Sequence, residues 1–150
     1  MLLLAVTSNA EQDVKEMARR VSEAASDSAA YKILGTTLDV YAKQKQWEEA
    51  ISFLDAVQKS GNYRKSMLNV FTLHRSNLYY KSTRFPEAVS AIDVILPDTA
   101  SMHPDILIKL LRMKGQIHFR LKQYVASTDW FTKAYDAAVK YGYLKVQDDI

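Results

Sequence analysis

The chain has no cysteine among its 150 residues, which removes disulfide frameworks, zinc ribbons and thiol nucleophiles together. Glycine and proline are scarce, at four and three residues. That scarcity suits long helices with short connections and argues against an all-β or low-complexity chain. The glycines are also scattered, so there is no phosphate-binding loop, no dinucleotide fingerprint and no nucleophile elbow. Long apolar runs are missing too. The one candidate, MLLLAV at the N-terminus, is far too short to cross a bilayer and lacks a basic flank and a cleavage site. It reads as the start of a helix or a buried tail, and the default expectation is a cytoplasmic protein with no membrane contact. Nor does either sign of charge dominate: 20 basic and 17 acidic residues give +3, divided as +1 and +2 between the two halves. No basic block marks a nucleic-acid tail.

The residues that could carry chemistry do not assemble into a pattern. His74, His103 and His118 have no metal-ligand partner at helical spacing, so no metal or other cofactor is expected. Glu48–Glu49 and Asp148–Asp149 are adjacent pairs that point apart on a helix and read as solvated or capping acids. No small-molecule substrate is evident. The expectation is a non-enzyme.

What is present is a hydrophobic content of 48%, enough for a real core, arranged with helical spacing. A helix is predicted over residues 10–26, capped by Ser8 or Asn9, and a second begins at Asp27 or Ser28 and runs to about residue 44. A third covers 47–59 and is closed by Gly61 in a left-handed conformation. A long helix spans about 63–82. Pro86 sits in the first turn of the next, which must stop before Pro97, and residues 97–105 form the longest loop. Helices at 104–121 and 124–140 follow, with Gly142 closing the last. No strand of period two survives. The class is all-α, with seven helices and part of an eighth.

Three of these helices open on one phrase. WEEAISFLDAV, FPEAVSAIDVI and YVASTDWFTKA each start on an aromatic residue, place Ala50, Ala88 or Ser127 three positions later, and follow with Leu54, Ile92 or Phe131. The small residues recur at separations of 38 and 39 residues, the signature of a stacked helical-hairpin array. Small residues there let two helices approach closely, with aromatics filling the ends of the contact.

On these residues the chain resembles the tetratricopeptide repeat (TPR) family over residues 30–142. Leu111, Gly115, Tyr124, Ser127, Phe131 and Ala134 match the family pattern in the third unit. Leu34, Tyr41, Trp47, Ala50 and Leu54 match in the first, and Tyr79, Phe85, Ala88 and Ile92 in the second. The usual glycine is replaced by Leu38 and Ser76 in the first two units, the closing proline is absent or displaced to Pro97, and the spacing exceeds the family's. The resemblance implies a right-handed α-α superhelix, a TPR-like solenoid forming a single domain of three hairpins. Residues 1–28 would be a tail and capping helix, and the repeats would span 29–62, 63–101 and 102–142. Residues 143–150 would open a further helix, as in a fragment of a longer chain.

The same resemblance implies that the first helix of each hairpin lines a concave groove. By register this gives Lys32, Asp39 and Lys43, then Leu73, Asn77, Tyr80 and Lys81, then Lys109, Arg112, Gln116, Phe119 and Arg120. The set is basic and aromatic and suits a partner peptide with a carboxylate or acidic residues beside an apolar anchor. The function expected is a protein-interaction module or scaffold subunit of a multi-protein complex. An RNA-binding α-solenoid using the same groove is the second reading. A chaperone-tail clamp does not fit, since Gly35, Asp39, His74 and Met113 stand where clamp residues would be.

Overall fold

The computed structural model describes residues 2–144, with side chains from Asn9 onward except Asp98. Among the described residues seven α-helices follow one another: α1 (Leu2–Ser22), α2 (Asp27–Lys43), α3 (Trp47–Ser60), α4 (Lys65–Lys81), α5 (Phe85–Ile95), α6 (Pro104–Arg120) and α7 (Tyr124–Lys140). There is no strand among the described residues, and no helix among them is long and apolar enough to cross a membrane. A further helix was expected over residues 143–150; Tyr143 and Leu144 are not helical, and residues 145–150 lie outside the described part.

Local chemistry explains most boundaries. Ser26 caps α2 by accepting the Ala29 N–H at 3.1 Å, which satisfies one of the free donors of the first turn. Pro86 and Pro104 each occupy a first turn, where a missing N–H costs nothing. Three expectations need correction. Helix α1 does not begin at a Ser8 or Asn9 cap but runs through both from Leu2, because the leucines and alanine before them favour the helix. Gly61 is extended, with φ −125°. Its glycine character serves a close approach instead: a Cβ would meet the Tyr63 ring at 2.5 Å, and that ring is held by Tyr63 Oη donating to the Val57 carbonyl at 2.6 Å. The expected loop after α5 is partly a 3-10 helix, Leu96–Ser101.

The turns within the hairpins repeat as the phrases do. Lys45, Thr83 and Lys122 are left-handed, with φ of 56°, 65° and 60°. The next N–H, on Gln46, Arg84 or Gln123, returns five residues to the carbonyl of Tyr41, Tyr79 or His118 at 3.0, 2.8 and 2.9 Å. The left-handed residue's own N–H bonds to Ala42, Tyr80 or Phe119. These are three Schellman turns, which satisfy the last carbonyls of each helix.

Past each turn, the helices cross at the small residues. Ala50, Ala88 and Ser127 are buried. At the α4–α5 crossing Ser76 Oγ donates to the Ala88 carbonyl at 2.9 Å. At the α6–α7 crossing the hydroxyl has changed sides, and Ser127 Oγ donates to the Gly115 carbonyl at 2.8 Å.

Helix α1 lies on α2 and α3; α2, α4 and α6 pack side by side; α4 also lies on α3, and α6 on α5. One apolar cluster, including Leu34, Leu54, Phe71, Ile92, Leu110 and Ile117, joins them. An ion pair repeats at the outer contacts. Arg75 of α4 binds Asp55 of α3 at 2.7 Å, and Lys114 of α6 binds Asp93 of α5.

Candidate partner-binding groove

The adjacency of α2, α4 and α6 places the first helices of all three hairpins on one layer. Between α2 and α4 is a cavity of about 430 Å³ whose walls include Lys32, Asp39, Asn77 and Lys81. Four residues inferred from register therefore face one space. Lys81 Nζ stands 3.9 Å from Asp39 Oδ1 with both side chains well exposed, a contact worth well under about 1 kcal/mol after screening. Lys43 lies at one end of this space, in a shallower depression shared with Asp39, Lys81 and Trp47.

Tyr31, missed by the register argument, and His74, which register set at a clamp position without making it a groove residue, line the same cavity. Their rings stack at 4.2 Å with 13° between planes, and His74 Nε2 is 2.9 Å from the Tyr31 carbonyl. A carbonyl only accepts, so Nε2 carries the proton. Burial disfavours the imidazolium and pushes the His74 pKa down to about 4, although the Tyr31 carbonyl opposes the shift. The groove thus has a neutral aromatic surface beside charged walls. Gly35 opens the space over that imidazole, since a Cβ there would lie 3.4 Å from His74 Cε1.

Most of the remaining expected residues divide between two other places. Tyr80 and Arg120 meet across α4 and α6: the Arg120 guanidinium stands 5.8 Å from the Tyr80 ring and 5.2 Å from the Phe85 ring. Phe119 is exposed beside them on α6 and meets Tyr124 edge-on at 5.6 Å. Lys109 and Arg112 line a different cavity, of about 440 Å³, against α7. Gln116 is half-buried and lines neither cavity.

Two expected groove residues have structural work. Leu73 is 1% exposed and belongs to the core, so it is removed from the groove set. Lys109 is tied to Asp105 at 2.5 Å, and Asp105 also accepts from Ser28 Oγ at 2.8 Å. Burial alone would raise the Asp105 carboxyl, but the hydrogen bonds from Lys109 and Ser28 outweigh it and hold it below the usual carboxylate range. This cluster fastens the start of α2 to α6. Sequence signals for Tyr31 and His74 were weak, because an aromatic and a histidine on an apolar helix face read as core.

No group of three His, Cys, Asp or Glu side chains among the described residues could hold a metal ion. Compared with known proteins, the chain matches no family model, no curated protein and no solved structure.

Proposed function

We propose that this chain is a non-catalytic protein-interaction module whose hairpins wind as a TPR-like right-handed superhelix, holding a partner peptide along α2, α4 and α6. The observation that carries the reading is the α2–α4 cavity. It sets Lys32, Asn77 and Lys81 as donors, with Asp39 as the one acid, around the stack of half-buried Tyr31 on buried His74. A carboxylate-bearing peptide satisfies the donors, and an apolar side chain beside it covers the aromatic surface. Charged hydrogen bonds contribute about 1.5–3 kcal/mol each before the ordering of the peptide is subtracted. A few such contacts give affinity of about micromolar strength, appropriate to a reversible scaffold. The three Schellman turns and the small-residue crossings support the repeat architecture.

The test is affinity capture from a lysate of the source, comparing the wild type with a Lys32→Glu/Lys81→Glu variant and an Arg112→Glu/Arg120→Glu variant. Loss of a protein partner with the first variant supports the groove. Equal recovery of the same partners by all three proteins overturns it. Capture of RNA, with affinity falling steeply as salt rises, would favour the nucleic-acid reading instead.

A further inference from the structure

The second cavity points to a docking site with a different occupant. Its α6 wall carries Ile108, Arg112 and the mutually paired Asp105 and Lys109, its α7 wall carries Phe131 and Tyr135, and Tyr143 and Leu144 close one end. Its apolar surface is open to solvent, with Phe131 40% and Tyr135 52% exposed.

The molecule itself shows what covers such a surface. Stepping back by 39 and then 38 residues carries Phe131 onto Ile92 of α5 and Leu54 of α3. Both are 0% exposed, because α6 lies on α5 and α4 lies on α3. The angle between one hairpin's helices is therefore a helix-binding seat, filled twice within the chain. The third seat, between α6 and α7, holds no helix among the described residues, with only Tyr143 and Leu144 at one end.

The two helices that fill seats define the shape of an occupant. Helix α4 carries Met67, Phe71, His74 and Leu78, and α6 carries Ile106, Leu110, Met113 and Ile117. Both stripes follow the spacing i, i+4, i+7, i+11. That spacing places four side chains on one face of an α-helix.

Charge in the third seat differs from the first two. In those, an aspartate on the outer helix, Asp55 or Asp93, receives a cation from the incoming helix, Arg75 or Lys114. The matching position on α7 is Thr132, so an incoming cation gains nothing there. Arg112 in turn replaces the residues that match it earlier, Gly35 and Leu73. It is exposed and makes no ion pair among the described residues. In the first seat Gly35 faces His74, the i+7 residue of the incoming stripe. By register, the i+7 residue of an occupant faces Arg112.

We infer that the α6–α7 face docks an amphipathic helix of a protein partner, apolar at i, i+4 and i+11 and carrying a carboxylate at i+7. The arginine fork suits a carboxylate bidentately. The apolar stripe covers Phe131 and Tyr135, which supply most of the buried area. A repeat of this chain's own kind, with a basic residue at i+8 and none of these acids, is a poorer occupant. This site is separate from the α2–α4 groove, and either can be wrong without the other.

The test uses the full chain and two labelled 18-residue helical peptides with leucine at i, i+4 and i+11, one with Glu and one with Lys at i+7, followed by fluorescence anisotropy at low salt. The Glu peptide is expected to bind roughly fivefold or more tightly than the Lys peptide, as an ion pair exchanged for a repulsion should give. Arg112→Glu should invert that preference, Tyr135→Arg should weaken both peptides, and Lys32→Glu/Lys81→Glu should leave both unchanged. Circular dichroism confirms folding, and each of these residues is exposed or half-exposed. Equal binding of the two peptides, or loss of binding in the Lys32→Glu/Lys81→Glu protein, overturns the inference. So does self-association by sedimentation equilibrium that Tyr135→Arg abolishes, which assigns the face to a second copy. A large gain in affinity on removing residues 145–150 also overturns it, by giving the seat to the chain's own end.

Discussion

Ser76 and Ala88 are joined across the α4–α5 crossing by a hydroxyl-to-carbonyl bond of 2.9 Å, and 39 residues later the hydroxyl sits on the opposite helix. There Ser127 donates to Gly115 at 2.8 Å. The bond is kept while the residue that supplies it moves from the first helix to the second. At these two crossings a small residue stands on each side and one hydroxyl, on either helix, makes the bond, whereas by register the first crossing sets Leu38 against Ala50 and has no hydroxyl.

Ser76→Ala and Ser127→Ala should each lower stability by about 1 kcal/mol, the net value of a buried neutral hydrogen bond. Ser76→Gly should cost about 1 kcal/mol more through backbone entropy. Adding Ala88→Ser to it recreates the arrangement of the third unit, and should recover part of the loss. Urea unfolding of the single and double variants measures the coupling; strictly additive effects would show that the hydroxyl cannot change sides.

Thr83→Gly should stabilise the protein. A β-branched residue at φ 65° is strained in a place where glycine is free of cost. The gain is about 1 kcal/mol, or roughly 2–4 °C in Tm for a chain of this size. Differential scanning calorimetry reads it directly. Lys45→Gly and Lys122→Gly, unbranched at the same place, should gain less.

Stability should fall as pH drops from about 6.5 toward 4. His74 has its pKa depressed to about 4 by burial, against 6.5 as its ordinary value. In that window the unfolded chain takes up a proton that the folded one refuses, so acid favours unfolding. The full stabilisation is present above the unfolded value, declines by about 1.4 kcal/mol per pH unit at most through the window, and levels off below the folded value. His74→Phe should flatten this limb in urea midpoints measured from pH 7.5 to 4. Loss of the Asp105 pairing acts lower, because that carboxyl is held below its usual range.

Asp93→Asn should cost more than Lys114→Met. Lys114 is 8% exposed, whereas the carboxylate of Asp93 is half in solvent. Removing the acid leaves a buried cation without its partner, a loss of about 1–3 kcal/mol, while an apolar side chain of similar length fills the space at little cost. Lys114 and Lys133 stand 4.3 and 4.1 Å from the Trp130 ring, so tryptophan fluorescence should report both substitutions. Chemical denaturation ranks them.

The helices were legible because their apolar residues recur at helical spacing, and Pro86, Pro97 and Pro104 punctuate them. Helix α7 begins at Tyr124 and ends at Lys140, as expected. What could not be read were features that depend on a distant residue. Gly61 reads as a C-cap until Tyr63 is seen lying against it. Lys45, Thr83 and Lys122 carry no sign of a left-handed backbone, since the hydrogen bonds that fix it come from the preceding helix. Lys32, Asp39, Asn77 and Lys81 were found together because register alone brings them to one face. Leu73 failed because the same face turns into the core one turn earlier on α4.

The three Schellman turns also fix a length. From the start of α2 to that of α3, α4 to α5, and α6 to α7, the distance is 20 residues each time, whereas α3 to α4 takes 18 and α5 to α6 takes 19. Variation between the units is confined to the connections that leave the second helix. An added residue within 82–84 would rotate α5 by about 100° and carry Ala88 out of its crossing. One added within 97–101 would lengthen a solvent-facing segment. The chain therefore has stiff joints and adjustable ones in alternation, and at the adjustable ones the pitch between neighbouring hairpins can change without disturbing a crossing.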